Sequence, residues 1–221
     1  MHLRVPKPLH GWREFAGEVG IIVLGVLIAL GAEQVIESIH ERQDVEQLRD
    51  ALRGELADDR ARWEDMRMQD HCTVQRLDAI EQWLATAPRG ARLFHVYGPF
   101  LWNMHSSAWD LAKTSPATAH IPLQERLTYA SLYGAIDNWR GMLAEESTNS
   151  RQLGMLLATA DQPENRRQMA AHLYAARALL QRRKTNYPYF FARFDELHIR
   201  ADASQLTVAR NPLALCKPLG A

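Results

Sequence analysis

The sequence predicts an all-α protein: an N-terminal transmembrane helix continuing into a long helix that packs in a three- or four-helix bundle, with an extended C-terminal tail. Three observations predict it. The run Val19 to Ala32 holds fourteen residues without a charge or a strong hydrogen-bonding side chain. Downstream, apolar residues recur at the spacing of an amphipathic helix. No run sustains the period-2 alternation of a half-buried strand, so the apolar faces must meet in a bundle.

The fourteen apolar residues span about 21 Å as helix, short of the roughly 30 Å hydrocarbon core of a bilayer. Extending the helix to residues 15–36 gives about 33 Å, which suffices. Glu18, Glu33 and Gln34 then fall near its ends, where charge costs least, and Trp12 and Phe15 suit an aromatic belt. Arg4, Lys7 and Arg13 precede the run, whereas the first basic residue after it is Arg42. The positive-inside rule therefore expects residues 1–14 to form a short cytoplasmic segment, 15–36 to cross the lipid bilayer, and 37–221 to form an extracytoplasmic domain. A cleaved signal peptide ending at Ala29-Leu30-Gly31 and a buried core helix are the alternatives. Glu14, Glu18 and the unbroken helical patterning speak against cleavage.

Past the membrane, Val45, Leu48, Leu52, Leu56, Trp63, Met66, Val74, Leu77, Ile80 and Leu84 form an apolar stripe, interrupted by Asp59 and Asp70. One long helix, broken or not, is expected to run until Pro88-Arg89-Gly90. Short helical stretches are expected at Phe100–Met104 and Ser107–Lys113. Pro122 then opens a helix with Leu123, Leu127, Ala130, Leu132, Tyr133, Ile136 and Trp139 on one face, continuing to Leu157. Asp161 or Gln162 caps the next helix, with Pro163 in its first turn. Pro188 is expected to kink or end that helix, with Phe190, Phe191 and Phe194 resuming it, and the tail from Ala201 reads as extended.

Composition excludes several classes. Twenty-six basic residues balance twenty-six acidic ones, whereas a dedicated nucleic-acid binder carries a strongly basic surface. Two cysteines cannot build a disulfide-rich scaffold or an all-cysteine zinc site. Charge is uneven, with nine acids and five bases in 33–62 against five acids and ten bases in 161–221, so the first and last helices are expected to pack with complementary surfaces. The run Arg182-Arg183-Lys184 reads as a solvated helix face, or else as a contact for an anionic partner.

Trp12-Arg13-Glu14-Phe15-Ala16-Gly17-Glu18 leading into IIVLGVLIALGAEQ resembles the opening of an uncharacterised family of bacterial proteins with a single N-terminal membrane helix. SSAWDLAKTSPATAHIP, from Ser106 to Pro122, and ERLTYASLY, from Glu125 to Tyr133, are similar to a second stretch of that family. The resemblance implies a membrane-anchored helical domain of unknown function and carries over no activity, cofactor or catalytic residue.

Motifs for chemistry are sparse. Glu37 and His40 have the Glu-x-x-His spacing of di-iron bundles, but such sites need a second copy and two further glutamates. His95, His105 and His120 lie near Ser106, Ser107 and Asp110 without a nucleophile elbow, and the bland reading makes them caps and backbone partners. No catalytic residue, metal site or cofactor is therefore assigned. Among aromatics, Trp102, Trp109, Tyr129 and Tyr133 are the candidate lining of a ligand cleft, and core filling is the competing reading. Tyr187, Tyr189, Phe190, Phe191 and Phe194 form a second group. Cys72 and Cys216 are a candidate disulfide outside the cytoplasm, the alternative being one buried and one exposed thiol. The expected function is a non-catalytic, membrane-anchored interaction or scaffold module that binds an unknown protein or itself. A small-molecule sensor is the alternative, and an unrecognised hydrolase or metalloenzyme the remote one.

Overall fold

A computed structural model describes residues 11–88, 90–94, 96, 98–206 and 214–219. Arg4, Lys7, His95 and Pro212, on which parts of the sequence reading rest, lie outside the described residues. The chain divides into two compact units, Met1–Gln47 and Leu48–Ala221, with the boundary inside one helix.

The architecture is all-helical, and no strand occurs among the described residues. Helix α1 covers Trp12–Thr86, α2 Ser107–Ala112, α3 Leu123–Ala158 and α4 Pro163–Glu196. Single 3₁₀ turns occupy Pro116–His120 and Ala214–Cys216. In the first unit, α1 contains one stretch long and apolar enough to cross a membrane. None of that apolar window is buried within the chain.

The second unit packs the lower part of α1 against α3 and α4. Leu48, Leu52, Leu56, Trp63, Met66, Leu77 and Ile80 are buried, along the face that the apolar periodicity marks. Trp63 centres the core: its ring lies 4.4 Å from Trp139 of α3 and 4.0 Å from Phe190 of α4, with Tyr187 edge-on at 5.6 Å. Such packing adds directional aromatic contact to area burial. Charge complementarity tightens the α1–α4 seam, where Arg177 reaches Asp78 and Glu81 at 2.7 and 2.6 Å and Arg60 reaches Asp195 at 2.6 Å.

Several elements depart from the sequence expectation. Phe100–Met104 is irregular rather than helical, because side chains of α1 and α3 take its backbone polar groups. Leu123 and Leu127 are exposed, and the buried face of α3 begins at Thr128 and Tyr129. Helix α4 is not ended by Pro188. The inward-facing Tyr187, Phe190 and Phe194 hold it across the proline, which removes one helical donor. It stops instead at His198, a non-glycine at φ 56°. There the Ile199 N–H bonds Phe194 O at 2.9 Å and the His198 N–H bonds Asp195 O at 3.0 Å, a Schellman closure. The described tail after residue 200 contains a turn at 203–205 and the 3₁₀ turn at Ala214–Cys216.

Candidate functional site

Polar residues of α1 hold the irregular segment that follows it. Gln69 brackets Phe100, its Oε1 accepting the N–H at 2.9 Å and its Nε2 donating to the carbonyl. Arg62 donates to the Asn103 carbonyl, and Arg140 of α3 donates to Met104 O from Nε and from its terminal nitrogen at 3.0 and 2.8 Å. Asp59 accepts the His105 N–H with both oxygens. Glu55 accepts the Ser107 hydroxyl at 2.6 Å and the Ala108 N–H at 3.0 Å. It thereby caps α2 from another helix, because Ser106 makes no side-chain cap there. Backbone groups without secondary-structure partners are thus satisfied by side chains.

Asp59 is fully buried. Burial pushes its carboxyl from 3.8 up to about 7, while the His105 N–H and Arg62 pull the other way. Burial, with Arg62 beside it, holds the His105 imidazole below its usual value. A second buried polar centre joins all three long helices. Arg183 of α4, 0% exposed, donates to Asp70 of α1 at 2.6 Å and to Glu146 of α3 at 2.9 Å. Burial raises both carboxyls against the pull of the guanidinium. The run at Arg182-Arg183-Lys184 is therefore not one solvated face: its middle residue points into the core, and only its neighbours are exposed.

The four aromatics that sequence groups as a cleft divide between the core and two ring pairs. Tyr129 and Tyr133 are buried in the core. Trp109 stacks on Tyr133 at 5.3 Å and 6°, and Tyr133 donates to Glu55 at 2.9 Å. Trp102 pairs instead with Phe100, at 4.4 Å. Pairing and core packing consume these rings. The serines, histidine and aspartate of this region have other partners too: Ser106 Oγ accepts from Arg140 as well as meeting Asp110, His105 Nε2 lies 3.0 Å from Arg62, and Asp110 pairs with Lys113. Among the described residues no group of three or more His, Cys, Asp or Glu side chains gathers as for a metal ion.

A cleft opens among the three long helices and the tail. Leu77 and Ile80 of α1, Leu153 and Leu157 of α3 and Ala176 of α4 form its apolar walls, with Leu215 of the tail across them. Thr73, Arg76, Glu146, Asn149 and Ser150 supply the polar part of the lining, and Gly98 and Pro99 one edge. Leu215 is 3% exposed. Next to it, Cys216 is disulfide-bonded to Cys72, with their Cα atoms 4.8 Å apart. Arg76 donates to Leu215 O and Lys217 O at 3.0 and 2.6 Å, bracketing the cystine. Sequence reasoning missed Arg76 and Glu146, and placed Arg183 within a solvated basic run. The signal for the buried network was Asp70, an acid standing on an apolar stripe.

No family model, curated protein or solved structure matches this chain.

Proposed function

We propose that the chain is a single-pass protein of a bacterial inner membrane whose helical domain stands in the periplasm and acts as a non-catalytic interaction or scaffold module. The Cys72–Cys216 cystine carries this reading, following as it does a wholly unburied apolar stretch of α1. A disulfide persists in an oxidising compartment, and that is the side to which the Lys/Arg bias at Arg4, Lys7 and Arg13 assigns the domain. Residues 15–36 meet the lipid, and the partner is another protein or a second copy of the chain. The non-catalytic part of the reading is supported by the commitment of three of the buried acids. Asp59 serves a backbone amide, and Asp70 and Glu146 serve Arg183.

Maleimide–PEG labelling of the two cysteines in spheroplasts and in lysed, denatured membranes tests the topology. Labelling only after denaturation and reduction is expected. Free labelling after lysis without reductant places the domain in the cytoplasm and overturns the reading. For the interaction role, purification in mild detergent is expected to yield a homo-oligomer or a stoichiometric partner, and a clean monomer speaks against it.

A further inference from the structure

The cleft between α1, α3, α4 and the tail keeps space that the sequence had cheap means to fill. Gly154 lines it from the interior of α3, where a glycine costs about 1 kcal/mol against alanine. A Cβ there would meet no atom within 4 Å, so no close approach demands the glycine. The remaining cavity is ≈ 40 Å³, room for roughly three waters. Leu215 forms one wall of it, held by its own burial, the adjoining cystine and the Arg76 bonds to the tail. Beside these bonds a crevice of ≈ 230 Å³ remains, lined by Leu215–Leu219 of the tail and by Gln75, Arg76 and Ala79.

The lining also defines what the space would accept. Glu146 is spent on Arg183, Arg76 on the two tail carbonyls, and Asn149 on His172 through both ends of its amide. Each charged side chain on the walls thus already has partners within the protein. The Ser150 hydroxyl, by contrast, is engaged by none of the described residues and faces the Gly98 backbone, where a Cβ would collide with it. Withdrawal of the Leu215 isobutyl group would add the space of four carbons to that of the waters, together about the size of a phenol.

We propose that this cleft is a binding site for a small uncharged molecule with an apolar, ring-sized body and one hydrogen-bonding head. The body packs on Leu77, Leu153 and Leu157, the head meets Ser150, and Leu215 is the plug that ligand displaces. Reduction of the cystine frees the plug. A dithiol reductant attacks Cys216, which is exposed whereas Cys72 is buried, forming a mixed disulfide and expelling the Cys72 thiolate. The reductant's second thiol then displaces Cys216, so the reductant leaves oxidised and the protein holds two thiols. The inference does not depend on the membrane or partner reading.

The test is ¹⁹F NMR of 4-fluorophenol with the full chain in detergent micelles, against micelles alone to remove partitioning. Oxidised wild type is expected to bind at least tenfold more weakly than dithiothreitol-reduced wild type or oxidised Leu215→Ala. Gly154→Leu in the Leu215→Ala background should abolish the protein-dependent signal, and Ser150→Ala there should weaken binding three- to tenfold. Ser150→Ala keeps the test decisive if the leucine variant does not fold. No protein-dependent signal in Leu215→Ala or in reduced protein overturns the site. Binding equal in oxidised and reduced wild type overturns the plug.

Discussion

Asp59 of α1 receives the backbone N–H of His105 on both carboxylate oxygens, at 3.0 and 3.1 Å, in a position with no solvent exposure. One hydrogen-bond donor is a small return for burying a charge, which is why burial lifts this carboxyl to about 7. The other charges around it come from α1 (Glu55, Arg62) and α3 (Arg140).

The pH dependence follows from that sign. The folded protein holds the Asp59 proton more tightly than the unfolded chain, so stability falls as pH rises from about 4 to about 7 and then levels. Asp70 and Glu146, also raised, add to the same slope. His105, held low, opposes it only on the acid side of its ordinary value. Asp59→Asn keeps an oxygen for the His105 N–H and removes the charge. It should match wild type at pH 5 and be more stable by about 2 kcal/mol at pH 8, within the roughly 4 kcal/mol upper bound that the shift implies. Denaturation midpoints at the two pH values measure this. Equal destabilisation at both would show that the carboxylate form holds the segment.

Arg183→Met tests the network at the helix junction. The substitution leaves Asp70 and Glu146 buried without their shared cation, at a cost of about 3–5 kcal/mol. Adding Asp70→Asn and Glu146→Gln should recover more than half, because uncompensated charge rather than lost volume dominates. Urea unfolding of the single and triple variants makes the comparison, and a triple variant no better than the single would assign the loss to packing.

Asp59 and Asp70, two of the buried acids of α1, also show where sequence was legible. Periodicity locates the helices because each turn repeats the same burial, and it marks Trp63, Leu77 and Ile80 as core. It places Asp59 and Asp70 on the buried face too, but only as interruptions, since their partners sit far off in the chain at His105 and Arg183. Arg183 reads as surface because it stands between two exposed basic residues. The cleft was illegible for a related reason: Thr73, Ser150 and Leu215 come from three segments, and none has a local pattern. The aromatic residues between 102 and 133 stand out in sequence yet pair with each other and with the core.

Trp63→Ala should be the most costly single change to the apolar core, at about 3–5 kcal/mol, because the ring contacts α3 and α4 at once. Trp109→Ala removes a half-buried ring stacked on one neighbour and should cost less than half as much. Near-UV circular dichroism should lose structure in the first variant and keep it in the second. Equal losses would move the centre of the core toward α2.

Reduction of the cystine should lower stability without unfolding the helices. The bond joins residues separated by 144 positions, for which chain entropy gives up to about 5 kcal/mol. The described part of the tail near the bond contributes a single 3₁₀ turn and Leu215 to the interior, whereas the bulk of the core comes from α1, α3 and α4. Far-UV ellipticity at 20–25 °C should therefore be unchanged in the Cys72→Ala/Cys216→Ala variant while its melting midpoint drops by several degrees. Wild type with and without dithiothreitol should reproduce that difference, and the variant should not respond to the reductant. Helical loss on reduction at ambient temperature would mean that the tail holds the bundle together and is not a strap laid across it.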